Sequence, residues 1–215
     1  MKVIVFGASG STNTGAQFVG QALRAGHQVT VLVRGGRMRV DEWVRDDTNL
    51  TVVDGDATHS EDVDAVVAQD ADAVVNAIGA GLGHSDVCSV STRLIIEAMK
   101  ARCPRARLLT VTSMGVGDSG REAGSLFAFF VWAFLYRPLL DKNLQEMYIF
   151  KATGWLDYVI ARPGGLTNGP ETGKYSVARY SKGGRIARAD VANFLLHNLK
   201  AKSGEWSQEA VCLTS

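Results

Sequence analysis

The sequence lacks the means to hold a metal, a disulfide framework or a nucleic acid. Its cysteines, Cys88, Cys103 and Cys212, are odd in number, far apart and without a CxxC pair. This excludes a dithiol or zinc-ribbon motif and points to reduced thiols in a cytoplasmic protein. The histidines His27, His59, His84 and His197 are scattered without ligand spacing, so no metal site is expected. With 23 basic and 22 acidic residues interspersed along the chain, the formal charge is +1, which argues against nucleic acid as a partner. Met1 leads directly into the first strand, so no signal or transit peptide is expected. The segment Leu126 to Tyr136 is too short to cross a bilayer. Repeats, linkers and low-complexity tracts are also missing, so 215 residues suggest one domain, 1–215.

What is present is a series of apolar, β-branched runs alternating with helical patterns. The runs are continuous, as parallel strands covered on both faces should be, so the expected fold is α/β: a single doubly wound parallel sheet with helices on both faces. Its first unit is the most informative. Val3 to Phe6 reads as a buried strand running into Gly7-Ala8-Ser9-Gly10-Ser11-Thr12-Asn13-Thr14-Gly15. A helix beginning near Gln17 follows, and a second strand, Val29 to Val33, closes the unit. Glycines after a strand let the backbone turn tightly and bring a pyrophosphate to the first N–H groups of a helix. Ser9, Ser11, Thr12 and Thr14 add hydroxyl donors. A simple GxxGxxG spacing would place its third glycine at Asn13, whereas Gly15 comes two residues later, so a longer loop is expected.

The end of the second strand selects the dinucleotide. A carboxylate there would bind the ribose hydroxyl of NAD and repel the 2′-phosphate of NADP. The residue is Arg34, with Arg37 and Arg39 behind it, and a guanidinium forks onto phosphate. NADP (as NADPH) is therefore expected over NAD; the alternative is a solvated basic loop. A third strand, Leu50 to Val53, precedes Asp56 and Ala57. Asp56 is placed either to accept a hydrogen bond from the adenine amino group or to cap the next helix with Thr58 or Ser60. The fourth strand, Ala73 to Ala77, ends at Ile78-Gly79, where small residues would let a cofactor lie against backbone. A loop with His84 and Ser85 leads to a helix over about 86–100, stopped by Cys103-Pro104.

The fifth strand, Arg107 to Val111, delivers Thr112 and Ser113 to the same sheet edge, where a hydroxyl would stand beside a nicotinamide or merely tie down a turn. The aromatic run 126–136 can be a core helix, a dimer face or a wall for a flat apolar substrate. A helix from about Leu139 to Thr153, a sixth strand, Tyr158 to Ala161, the turn Arg162-Pro163-Gly164-Gly165 and a closing helix from Ala189 to Leu199 complete the pattern. The segments around 120–148 and 163–187 lie on the substrate side.

GASG after the first strand, Arg34 after the second, Asp56 after the third, Thr112-Ser113 after the fifth, Arg162-Pro163-Gly164-Gly165-Leu166 and Gly184-Arg185-Ile186-Ala187-Arg188-Ala189-Asp190-Val191-Ala192 together resemble the atypical short-chain dehydrogenase/reductases. The nearest likeness is to small NAD(P)H-binding Rossmann proteins related to the B-type biliverdin (flavin) reductase and to the NmrA-like proteins. The resemblance implies cofactor contacts from Gly7, Ser9, Gly10, Ser11, Thr12, Asn13, Thr14, Arg34, Arg37, Asp56, Ala57, Ala77, Ile78, Gly79, Thr112, Ser113 and Arg162. It implies catalytic roles for Ser113, Lys142 and Tyr148. In the catalytic members a serine works with a YxxxK pair, and Lys142, Glu146 and Arg162-Pro163 keep the spacing of the lysine, glutamate and RP turn. The tyrosine position, however, is Pro138, with Tyr136 two residues early and Tyr148-to-Lys151 one residue short.

Reduction of a ketone develops charge on oxygen and needs a positioned acid. Without the tyrosine, carbonyl reduction and sugar epimerisation are disfavoured. A flavin, quinone or tetrapyrrole accepts hydride onto a delocalised ring and needs no dedicated acid. The expectation is therefore an NADPH-dependent oxidoreductase acting on a flat conjugated acceptor, as a monomer or homodimer. The alternatives are an NmrA-like NADP(H) sensor without turnover and a nucleotide-sugar epimerase-like enzyme.

Overall fold

The expected strands lie side by side in one sheet. The computed structural model describes residues 1–67, 70–79, 86–122, 125–200 and 206–215, and of residue 43 and residues 120–137 no side chain is described. The strands β1 (Lys2–Phe6), β2 (Gln28–Val33), β3 (Leu50–Asp54), β4 (Ala73–Asn76), β5 (Arg107–Val111), β6 (Tyr158–Pro163), β8 (Ser176–Ala178) and β10 (Glu209–Thr214) form a sheet of order β3-β2-β1-β4-β5-β6-β10-β8. All pairings are parallel except that of β10 with β8. Two further strands, β7 (Gly165–Thr167) and β9 (Arg185–Ala187), pair in parallel beyond the end of β6.

Strand order reverses between β1 and β4, since Val3 pairs with Val29 on one side and Ala73 on the other. In such sheets this reversal opens a crevice at the carboxyl ends of the strands. The helices are α1 (Thr14–Arg24), α2 (Glu42–Arg45), α3 (Ser60–Val67), α4 (Val87–Arg102), α5 (Ser125–Lys151) and α6 (Arg188–His197).

Successive strand side chains alternate between faces, and each face has its own core. Val3, Val5, Val29 and Val31 pack with Phe18 and Val19 of α1 and Val191, Phe194 and Leu195 of α6. Ile4, Phe6, Val74, Leu108 and Ile160 pack with Val63 and Val66 of α3, Ile95 and Met99 of α4 and Ile149 of α5. At about 1.5–3 kcal/mol for each fully buried aliphatic or aromatic side chain, the two layers hold the sheet between them.

The structure departs from the sequence pattern in three places. The run 126–136 and the helix expected from Leu139 form one helix, α5, which passes through Pro138 at the loss of one backbone hydrogen bond. The aromatic side chains of 126–136, and with them the proposed wall, lie outside the described residues, as do His84 and Ser85. The fourth strand stops at Asn76, which frees Ala77 to turn. Finally, β7 to β10 were not expected. Three of them are three residues long, too short to show a period, but Ala-Val-Cys-Leu within β10 is an apolar run that the pattern does contain.

Candidate functional site

The turn from β1 into α1 is built on close backbone approach. Gly7 adopts φ +88°, and a Cβ on it would stand 2.5 Å from the Ala77 carbonyl carbon and 2.6 Å from the Ile78 nitrogen. This glycine lets the ends of β1 and β4 meet. A Cβ on Gly15 would stand 2.3 Å from the Gly7 oxygen, so α1 sits directly on the turn. Gly15 thus serves helix–strand packing, and Asn13 closes the loop. Its Oδ1 accepts the Ala16 N–H at 2.8 Å, and its Nδ2 donates to the Ser9 carbonyl. The longer loop is folded back on itself, leaving first-turn N–H groups of α1 without intrahelical partners at the cleft edge, where an anion is favoured.

A cleft of about 480 Å³ crosses the carboxyl ends of the strands at the switch between β1 and β4, a size typical of small-molecule sites, roughly 300–1,000 Å³. On the side of β2 and β3 it is lined by Arg34, Gly55, Asp56 and Ala57. Arg34 is 76% exposed and its Nη1 stands 3.6 Å from Asp56 Oδ2. Asp56 Oδ1 accepts both the N–H and the hydroxyl of Thr58, at 2.9 and 2.8 Å. Partial burial pushes the Asp56 carboxyl up, but Thr58 and Arg34 outweigh it and hold the group below its ordinary value. Asp56 therefore has the helix-entry role, while also facing the cleft.

On the side of β4 to β6 the floor rests on buried side chains. Asn76 Nδ2 donates to Thr92 Oγ1 at 2.8 Å, and Asn76 Oδ1 accepts the Ile78 N–H at 3.1 Å, which fixes the backbone at Ile78 and Gly79. Thr112 Oγ1 donates to Glu146 Oε1 at 2.7 Å. The same carboxylate accepts from Arg162 Nε at 2.9 Å and Nη2 at 2.6 Å, and Arg162 Nη1 donates to Asp118 at 2.6 Å. Glu146 and Arg162 are 1% and 2% exposed. Burial works against the Arg162 charge, but the two carboxylates more than compensate and raise its pKa above the ordinary value. Because Thr112 gives its proton to a carboxylate that also accepts two hydrogen bonds from Arg162, it offers the cleft an oxygen lone pair.

Ser113 donates to the Met114 carbonyl at 3.0 Å, so it ties down its turn while lining the cleft. Lys142 Nζ donates to the Val111 carbonyl at 3.2 Å and lies 3.9 Å from Cys88 Sγ. Its neighbour Asp141 accepts the N–H groups of Cys88 and Ser89, both at 2.9 Å, so α5 caps α4.

Of the residues singled out in the sequence, Gly7, Ser9, Asn13, Thr14, Arg34, Asp56, Ala57, Ala77, Ile78, Gly79, Thr112, Ser113 and Lys142 meet along this cleft. Six others do not line it. Gly10 and Ser11 face an adjoining hollow with Met38 and Arg39, and the Gly10 N–H donates to the Arg39 carbonyl at 2.7 Å. Thr12 lines neither space. Arg37 is drawn off by Asp46 at 2.7 Å. Arg162 is spent on Glu146 and Asp118 beneath the floor. Tyr148 packs against the core under α5, with Lys151 Nζ 6.0 Å from its ring centroid. Arg188 and Leu166 line the cleft and were not singled out, although both belong to the quoted motifs.

A family model described as NAD(P)H-binding matches residues 7–202. An uncharacterized chloroplastic protein of Arabidopsis thaliana is 31% identical over 179 residues, covering 80% of this chain and 61% of its own length. The uncharacterized sugar epimerase YhfK of Bacillus subtilis (strain 168) is 38% identical over 74 residues, 34% of this chain and 34% of that protein. The chain thus spans less than two thirds of these curated relatives. Among solved structures, ChuY, an anaerobillin reductase from Escherichia coli O157:H7, is 27% identical with a TM-score of 0.80, over 100% of this chain and 97% of its own. A short-chain dehydrogenase/reductase (wide type) from Veillonella parvula DSM 2008 in complex with NADP shares the fold, with a TM-score of 0.80 and 17% identity over 100% of this chain and 94% of its own.

Proposed function

The chain belongs to the NAD(P)H-binding family, and from that premise we propose that it is an NADPH-dependent oxidoreductase delivering hydride to a flat conjugated acceptor, such as a flavin, quinone or tetrapyrrole-like molecule. The observation that carries the reading is the makeup of the cleft. Ser113, Thr112 and Lys142 stand beside the Ile78 and Gly79 backbone, Pro138 replaces the expected acid, and among the described residues no phenol lines the cleft. The likeness to an anaerobillin reductase supports the same acceptor class.

The glycine cradle at Gly7, the first turn of α1 and the cation at Arg34 fit a phosphorylated dinucleotide. NADPH, when bound, supplies the hydride. The protein's own groups then position and polarise: first-turn N–H groups of α1 take the pyrophosphate and Arg34 takes the 2′-phosphate. Thr112 would present an acceptor oxygen to the ring end of the cofactor, and Lys142 would hold positive potential beside the acceptor. A cytoplasmic setting and action as one domain belong to this reading; among the described residues, no disulfide joins the cysteines and no helix is long and apolar enough to cross a membrane.

The test is oxidation of NADPH, with NADH in parallel, against FMN, riboflavin, a quinone and biliverdin. Saturable oxidation with one acceptor and preference for NADPH is expected. Stoichiometric binding of NADPH and NADP without oxidation by any acceptor would overturn turnover and favour an NADP(H) sensor. Nucleotide-sugar epimerisation is disfavoured by Arg34 and by the missing phenol.

A further inference from the structure

Arg188 begins α6 and stands in the cleft wall, apart from the groups assigned to the 2′-phosphate and the ring end. It is half-buried, and its Nη1 donates to Asn168 Oδ1 at 2.7 Å. Among the described residues no carboxylate lies within ion-pair distance of it. The acid on its own helix, Asp190, is occupied: one oxygen accepts the N–H groups of Thr172 and Gly173 and the other the Thr172 hydroxyl. A guanidinium drawn partly out of water, aimed by a neutral amide and left without a counter-charge is suited to an anion arriving from solution.

The position of Arg188 says which anion. Helices α1 and α6 pack on the same face of the sheet and run the same way. The first returns from the end of β1 to the start of β2, and the second leads back to the start of β10, which is parallel to β6. Gln21 Nε2 donates to the Ala189 carbonyl at 2.8 Å, which sets their stagger. Gln21 lies about 10 Å along the axis from Thr14, and helical side chains lean toward the N-terminus. The Gln21 amide and the long Arg188 side chain both shorten that distance, and Arg188 and Thr14 line the same cleft.

We propose that Arg188, aimed by Asn168, is the second jaw of a diphosphate clamp. The first-turn N–H groups of α1 take the dinucleotide's pyrophosphate from one side and Arg188 takes it from the other. The inference rests on the cleft being the NAD(P)H site. Unlike Arg34, this clamp is indifferent to the ribose 2′ substituent.

The test is calorimetric titration of the wild-type protein and the variants Arg188→Ala, Arg188→Lys and Asn168→Ala with NADPH, NADH, ADP-ribose and 2′-AMP. Arg188→Ala is expected to weaken NADPH, NADH and ADP-ribose by a common factor, on the order of tenfold or more for a lost charged hydrogen bond, with 2′-AMP unchanged. Arg188→Lys should recover part of the loss. If Arg188→Ala does not fold, Asn168→Ala, which only releases the guanidinium, should give a smaller loss of the same pattern. Unchanged affinity for ADP-ribose in the folded variants overturns the clamp, as does a loss confined to the KM of an acceptor. A wild-type protein that binds none of the dinucleotides would instead overturn the site reading itself.

Discussion

The two halves of the cleft are held by different means. Over β1 to β3 it is made of backbone and short side chains: a glycine turn, an asparagine cap, and an exposed Arg34 facing Asp56 at 3.6 Å. Over β4 to β6 it rests on buried charge, the chain Thr112–Glu146–Arg162–Asp118, with Asn76 and Asp141 fixing the neighbouring segments. By this contrast in burial, the first half should tolerate change at its surface and the second should not. The difference suits a site that recognises a flexible phosphate arm at one end and orients a reacting ring at the other.

The largest effect should come from removing Glu146. Glu146→Ala leaves the Arg162 charge in a 2% exposed site with only Asp118, which should cost about 3–5 kcal/mol of stability, read from a denaturant midpoint. Arg34→Ala should change stability by no more than about 0.5 kcal/mol. Similar losses in the two variants would erase the contrast between the halves.

Arg34→Glu probes the other half by binding. Affinity for NADPH should fall by about 1.5–3 kcal/mol, the range for a hydrogen bond to a charged group, while NADH changes far less. Equal loss for the two cofactors would remove Arg34 from the 2′-phosphate.

Smaller effects should appear in the pH dependence. Burial pushes the Asp118 carboxyl up, but Arg162 outweighs it and the folded value is depressed. Its contribution is present above the ordinary value of 3.8 and is lost as pH falls through the folded pKa. Asp118→Asn should flatten that acid limb. Tyr175 behaves in the opposite sense: burial, then Asp190 and Glu171, raise its phenol from 10.0 to about 12. Its contribution is present below pH 10 and lost as pH rises through about 12. Tyr175→Phe should flatten the alkaline limb, and an unchanged limb in thermal melts would assign it to other groups.

The same division governs what could be read from the sequence. The half built by neighbours in the chain was legible. Strand, glycine turn and helix lie within 2–24, and the parallel α/β sheet and the NAD(P)H-binding family follow the pattern read from Gly7, Arg34 and Thr112-Ser113. The other half depends on pairs far apart, such as Thr112 with Glu146 and Arg162 with Asp118. The spacing of Lys142, Glu146 and Arg162 was visible, but not that Glu146 and Arg162 neutralise each other beneath the floor, so Arg162 was assigned to the cofactor. Tyr148 enters the expected site through its spacing to Lys151, one residue short of YxxxK, and the helix register turns it toward the core. Arg188 stands in a quoted motif without a role of its own, because nothing local marks an arginine whose partner, Asn168, is twenty residues away.

The most direct test of the two-part cleft is amide hydrogen exchange on the wild-type protein, free and with saturating NADPH. Protection is predicted in one event at the Gly7 to Ala16 turn, at Gly55 to Ala57, at Ala77 to Gly79 and at Thr112 to Ser113, on both sides of the strand switch. Protection limited to one side, or found instead at the separate hollow that Asp118 lines with Arg179 and Tyr180, would contradict the placement of the dinucleotide across the two halves.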